Sequence, residues 1–442
     1  MHVAIIGAGP AGLFLGATLA RHGHRVTAVD RDPGPSASGP WERRGVMQFH
    51  HAHAFRQTVA DALAREVPDA LDRWLALGAE PVRGGLPGAP ELPMGHRSRR
   101  ETFERALRDA ACATPGFELR QGHVDSVVEQ AGAARGLVVD GTTYAADLVV
   151  DASGRSGRVT RPLGERAGTG GPCGQAYVDR VYRLRDGAEA GPMTNPIAWQ
   201  ADCEGYLCLL FRHEHGLFSV VLVRRADDPG LRDLRHEAAF AAAARAIPGL
   251  AEWTDPERAE PVTGVLAGGP LLNVYRGQVT ADGDLVRPGL VFVGDSVATT
   301  TPVFGRGITT SLWQCEALVS LLDHDQTDLV GLGLALDAWG TDTIRPWVED
   351  HVEMDTSLVR RWSGEPIDPG EPLPSDLILE AAQERPEIMA AAGGYLRMAA
   401  PPASLREAEP IAREVYAAGW RPAYSPGPSR DELAAIVARA VA

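Results

Sequence analysis

A short apolar run, His2-Val-Ala-Ile-Ile6, leads directly into Gly7-Ala8-Gly9-Pro10-Ala11-Gly12 and then into a segment where Leu13, Gly16, Ala17 and Leu19 recur at helical spacing. This order predicts a strand, a tight turn and a helix. Gly7 permits the turn, Gly9 lets the backbone approach a pyrophosphate, and Gly12 allows helix and strand to pack closely, with Ala11 among the first helical N–H groups that face the anion. A second strand, His24 to Asp30, ends in an acid placed to accept hydrogen bonds from an adenosine ribose, with Arg31 beside it. The pattern is that of a Rossmann-like dinucleotide unit. At this point FAD and NAD are both open, and so is a glycine-rich turn with no ligand at all.

Far along the chain a second strand–loop–helix pattern occurs, Gly289-Leu-Val-Phe-Val-Gly294-Asp295 followed by Thr301-Pro302-Val-Phe-Gly305-Arg-Gly307-Ile308. A carboxylate at Asp295 can bond ribityl hydroxyls. Gly305, Gly307 and Ile308 can bring N–H groups at a helix start toward the ring edge where reduced flavin carries negative charge. Taken alone, the segment reads equally well as an ordinary turn between strand and helix.

Together, GAGPAG and GDSVATTTPVFGRG resemble the paired motifs of the para-hydroxybenzoate-hydroxylase-like flavoprotein monooxygenases over roughly residues 1–350. A middle motif of that family is matched by Asp147-Leu-Val-Val-Asp-Ala-Ser153-Gly154-Arg155, with Ser153-Gly154 where the family has Asp-Gly. In the family that aspartate serves flavin and pyridine nucleotide, so electrons from NAD(P)H are expected either directly or through a separate flavin reductase. The stretch from Arg43 through Arg44, Gly45, Gln48, His51 and His53 is similar to the R-x-G-V-x-Q-x-x-H-x-H segment of an actinobacterial natural-product branch that includes the polyether epoxidases. By the same resemblance, Arg100 is implied to pair with the FAD pyrophosphate, Val124 to meet the adenine through its backbone, and Pro302 and Phe304 to shape the flavin's substrate side. For Arg100 a solvated helix face is the competing reading.

The expected architecture is α/β: a Rossmann-like FAD-binding domain over residues 1–160 and 275–345, an inserted antiparallel-sheet substrate-binding domain over 160–275, and a helical C-terminal region over 346–442. Runs such as 176–184, 206–211 and 217–223 have strand character between Gly, Pro and charged turns. Residues 364–374 are a proline-rich connector. Ser429-Arg-Asp-Glu432 is a capping box, so the last residues are expected to form a helix.

Composition narrows the chemistry. All 43 basic residues are arginine, and the chain has no lysine. This excludes Schiff-base and P-loop lysine chemistry, and with it the lysine that flavin halogenases use; their WxWxIP motif is missing too. A formal charge of −15 argues against a nucleic-acid partner, whose affinity rests on dense positive charge. The five cysteines, Cys112, Cys173, Cys203, Cys208 and Cys315, form no CxxC pair and are expected as free thiols in a reducing, cytoplasmic setting without structural zinc. The N-terminal apolar run lacks a basic n-region, and no apolar stretch of membrane-spanning length exists.

The resemblance implies a monooxygenase that inserts one atom of O2 into a hydrophobic or aromatic small molecule, by hydroxylation or epoxidation, through a flavin C4a-hydroperoxide. Positioning and dryness dominate such catalysis. His51 and His53, with His50, Arg44 and Pro302 close by in sequence or motif, are the acid–base and positioning candidates; mere packing beside the cofactor is the alternative. Metal binding by the histidines is the weaker reading, since no acid or cysteine accompanies them. Trp199, Tyr206 and Phe211 can line an apolar pocket or form plain core. A reductase of the geranylgeranyl-reductase type and a redox-silent FAD-binding protein remain the competing functions.

Overall fold

A computed structural model describes residues 1–36, 41–43, 45–85 and 90–442. The strand His2–Ile6 pairs in parallel with Arg25–Asp30 on one side and Leu148–Asp151 on the other. Leu290–Phe292 and Phe117–Gln121 complete a five-stranded parallel sheet. These strands are apolar throughout because both faces are covered: Val3 and Ile5 pack in one cluster with the helices, and Ala4 and Ile6 in another on the opposite face. The helix Pro10–Arg21 lies on the first face. Gly16 is what lets it come so close, since a Cβ there would sit 2.3 Å from the Phe117 ring.

A three-stranded antiparallel sheet, formed by Val124–Gln130, Ala133–Val139 and Thr142–Ala145, covers the other face beside residues of the last motif. The region after the middle motif forms a six-stranded antiparallel sheet whose long central strands are Gln175–Leu184, Tyr206–Arg212 and Leu217–Arg225. Alternation along these strands sends side chains to two environments. Tyr206, Cys208 and Leu210 face a core built with the helices Glu237–Ala246 and Pro248–Trp253. Leu207, Leu209 and Phe211 face the other way, toward Ala52 and Val303.

Helices Gly307–His324, Leu329–Thr343 and Arg345–Trp362 follow the last motif. Shorter helices from Ser375 to Ala417 pack on the last of these around Trp347, Tyr395 and Tyr416. The helix Arg430–Val441 departs from that group. It is capped by Ser429 and Glu432 as the sequence indicates, yet Leu433 and Val437 insert into the core of the antiparallel sheet, and Arg430 pairs with the carboxylate of Asp228. Among the described residues, no helix is long and apolar enough to cross a membrane.

Candidate active site

The two glycine turns, distant in sequence, converge on one place. Gly7 adopts φ +98° beneath Ala152 and Ser153 of the middle motif, where a Cβ would lie 2.7 Å from the Ala152 carbonyl. Gly12 is tighter still, with its would-be Cβ 2.0 Å from the Gly7 carbonyl oxygen. Gly9 is different: a Cβ there meets nothing within 4 Å, and the same is true of Gly307 and Gly154. Two glycines therefore build the first turn, and a third leaves room beside it.

Further contacts knit the motifs together. Gly294 lies against Ala11, since a Cβ added there would sit 3.1 Å from the Ala11 methyl group. Asp151, fully buried, accepts from the Ser153 amide at 2.8 Å and from Thr160 Oγ1 at 2.5 Å, while its carbonyl accepts from Ser296 Oγ at 2.9 Å. Gly305 takes a left-handed conformation at φ +60°, close to the Ala54 carbonyl, and Gly307 opens the helix that runs to His324. Ile308 packs, partly buried, against the first core. Pro302 sits in the short 3-10 turn that precedes Gly305.

Asp30 does not present a free carboxylate. Its Oδ2 accepts from the Ala8 amide at 2.7 Å and from Arg43 at 2.9 Å, so the acid that ends the second strand also fastens the glycine turn. Arg43 is a clasp: its guanidinium also donates to the Ala8 carbonyl at 2.8 Å and pairs with Glu104. Arg31 is exposed and lies against Gly45. Arg44 lies outside the described residues. Val124 begins its strand opposite Val139, beside the end of the second parallel strand.

Arg100 opens the helix Arg100–Ala113 and bonds Glu104 through Nε at 2.5 Å. The sequence reading missed Glu104, a wholly buried carboxylate shared by Arg43 and Arg100. Its signal was the acid one turn after Arg100, on the apolar face of that helix with Phe103 and Leu107. Burial lowers the Arg100 pKa to about 10, aided by the charge of Arg43 and opposed by Asp295 and Tyr177. Asp295 is raised by burial and held down by Arg100, Arg155 and Arg276. A carboxylate from the last motif thus faces cations from the middle motif, from the Arg100 helix and from the strand region before it.

The histidine segment is not extended, so alternation does not set the two rings on a common face. His51 places Nδ1 2.8 Å from Oδ1 of Asp179, both side chains buried, and the other Asp179 oxygen accepts from the Ala52 amide at 2.7 Å. His53 folds back so that Nδ1 donates to the His51 carbonyl at 2.9 Å. Burial, then the charge of Arg100, depress the His53 pKa to about 3. The ring is therefore neutral at physiological pH, with its proton on Nδ1 and a lone pair on Nε2, which makes it a hydrogen-bond acceptor rather than a proton shuttle.

Asp179 was also missed. It shares a strand face with Gln175 and Tyr177, and a carboxylate midway along an apolar strand is the signal. Tyr177 sets its ring edge-on to His51, with centroids 5.1 Å apart. Trp199 and Tyr206 belong to the core on the far side of the sheet, because they fall on the opposite alternation, whereas Phe211 lies on the near face with Tyr177, Leu209 and Val303. Among the described residues, no group of three or more His, Cys, Asp or Glu could hold a metal ion.

A dinucleotide fits these residues on two counts. Gly9 and Gly307 leave open space at two helix starts, and buried polar atoms without partners include Arg43 Nε, Ser153 Oγ and Thr300 Oγ1, one on each of three motif segments.

Residues 1–190 match the family model described as pyridine nucleotide-disulphide oxidoreductase. The chain is 32% identical over 166 residues to kynurenine 3-monooxygenase of Salinispora arenicola, a match covering 34% of this chain and 36% of that protein. Squalene epoxidase 4 of Arabidopsis thaliana is 26% identical over 195 residues, 42% of this chain and 37% of that protein. The matches thus span little more than a third of those relatives. Among solved structures, the flavin-dependent brominase Bmp2 superposes with a TM-score of 0.65 at 15% identity, over 100% of this chain and 98% of that one. The architecture is accordingly the α/β FAD-binding fold that flavin-dependent monooxygenases and halogenases share, with a parallel sheet, added antiparallel sheets and a helical C-terminal region.

Proposed function

We propose that the chain is an FAD-dependent monooxygenase that transfers one oxygen atom from O2 to a hydrophobic or aromatic small molecule, by hydroxylation or epoxidation. The observation that carries this reading is the meeting of the two glycine turns, each with a glycine open to a ligand, opposite an apolar sheet face formed by Tyr177, Leu209 and Phe211. FAD, when bound, supplies the activation of O2. The chain's own residues bind, orient and keep water out. Gly7, Gly9, Ala11 and Gly12 receive the pyrophosphate at the helix start, with Arg100 as the nearby cation. Asp30, fastened by Arg43, faces the adenosine side together with Arg31 and Val124. Asp295 serves the ribityl chain and the amides of Gly307 and Ile308 the ring, while Gly305, whose own amide bonds the Pro302 carbonyl, turns the backbone toward it.

On the substrate side, His53 offers a neutral acceptor at Nε2 and His51 is backed by Asp179, beside Pro302 and the apolar sheet face. The absence of lysine favours oxygen transfer over halogenation, although the fold is shared with a brominase. The resemblance of the Arg43–His53 segment, Arg44 included, supports a natural-product branch that includes the polyether epoxidases as part of this reading. The division into residues 1–160 with 275–345, 160–275 and 346–442 belongs to the same proposal, as does a reducing, cytoplasmic setting.

The purified protein is expected to be yellow with noncovalent FAD. A colourless preparation that cannot be reconstituted ends this reading. Substrate-coupled O2 consumption separates it from a reductase or a redox-silent flavoprotein. Running NADPH or NADH with and without a separate flavin reductase decides how electrons arrive, given Ser153 in the middle motif.

A further inference from the structure

The C-terminal helices hold the Thr301–Gly307 loop at three buried points. Asp355 accepts from Thr301 Oγ1 at 2.9 Å, from Asn273 Nδ2 at 2.6 Å and from Gln175 Nε2 at 2.8 Å, and Asn273 in turn accepts from the Thr301 amide at 2.8 Å. Arg306, its side chain 3% exposed, turns away from the glycine cleft and donates to Asp350 at 2.5 Å and to the Tyr395 hydroxyl at 2.5 Å. That hydroxyl donates onward to Asp350 at 2.7 Å, and Ser375 donates to the other oxygen of the same carboxylate. Arg56 binds the Phe304 carbonyl at 2.6 Å and spans to the Leu396 carbonyl. Within the loop itself, the Gly305 amide returns only to Pro302, at 3.0 Å. Its shape is imposed from outside.

We propose that the C-terminal helical layer is the positioning device for the cofactor-facing loop: Asp350 and Tyr395, acting through Arg306, and Asp355, acting through Thr301, set where the Pro302–Gly307 backbone stands against the flavin ring. This rests on the FAD reading above. The helix that starts at Gly307 presents its N–H end to the ring, and stabilisation of negative charge on reduced flavin by such dipoles falls off within the first turn. A loop displaced by a fraction of an ångström then changes the flavin's potential, although none of the holding residues touches the cofactor. The same ties give the C-terminal helices a role in the reaction that their sequence does not disclose.

The test compares wild type with Tyr395→Phe, which deletes one hydroxyl, with Asp355→Asn, and with Ser429→Ala, which uncaps the helix docked on the antiparallel sheet. Each is reconstituted with FAD, and its FAD dissociation constant, visible spectrum, midpoint potential and melting temperature are measured. Tyr395→Phe and Asp355→Asn are expected to weaken FAD binding up to about tenfold, the effect of one buried hydrogen bond, and to lower the potential. Ser429→Ala is expected to lower only the melting temperature. Unchanged binding, spectrum and potential in both loop variants would overturn the proposal and leave the layer a purely structural support. Wild type that takes up no FAD defeats the underlying reading, and the proposal falls with it.

Discussion

The Gly7–Gly12 turn is shaped first by main chain packed on main chain, with the Asp30 and Arg43 side chains fastening only Ala8, whereas the Thr301–Gly307 turn is shaped by side chains that arrive from as far as 248 residues away. In the first, Gly12 abuts the Gly7 carbonyl, and the Gly7 amide bonds Val29 at 2.8 Å, so few arrangements of those six residues are possible. In the second, Thr301, Phe304 and Arg306 are each tied to a partner elsewhere. A motif closed on itself can be read from its letters. One held by distant partners can be located in a sequence but not given a shape.

The comparison breaks first at Gly12→Ala. A Cβ 2.0 Å from a backbone oxygen has no flexible neighbour to displace, so this variant is expected to yield no folded protein, measured as loss of soluble expression and of a cooperative melting transition. Arg43→Gln comes next, because it withdraws one cation from the fully buried Glu104; a loss of about 3 kcal/mol or more in denaturant unfolding is expected, and a loss below about 1 kcal/mol would mean that Arg100 alone satisfies the carboxylate. Gly305→Ala tests the second turn in the same way, and its cost should be smaller. Its Cβ would meet only the Ala54 carbonyl at 3.5 Å, so the penalty is the left-handed backbone, about 1–2 kcal/mol.

The gentlest perturbation is the proton. Burial pushes Asp355 and Asp376 up to about 6 and Glu380 up to about 7, all three in the layer that supports the second turn. Carboxyls in an unfolded chain titrate near about 4, so the folded state binds these protons more tightly; the resulting stability is fully present below about pH 4 and is lost as pH rises through 6 to 7. Hydrogen exchange at Thr301–Gly307 amides is therefore expected to grow between pH 5 and 8 beyond the intrinsic rate increase, while Gly7–Leu13 shows no such excess. An equal excess in both turns would show that the two are not separately supported.

Strand positions at 2–6, 25–30 and 290–292, the helix after Gly9 and the capping box at Ser429 were legible because each depends on neighbours along the chain. The histidine segment was legible as a candidate but not as a geometry. His51 acquires its partner from Asp179 on a strand 127 residues later than the adjoining Ala52, and His53 loses its proton affinity to burial that no local pattern encodes. Trp199 and Tyr206 went to the far side of their sheet, since an aromatic in a strand reveals alternation but not which face meets the cleft.

By itself, the sequence determined the two glycine turns, their order and the absence of any lysine, because backbone sterics and composition act through adjacent residues or through none. Only the tertiary structure decided that Glu104 pairs with both Arg43 and Arg100, that Asp179 stands behind His51, and that Asp350, Asp355 and Tyr395 hold the second turn. Buried charges and hydrogen bonds act over a few ångströms, and it is the fold that brings residues far apart in the chain within that range.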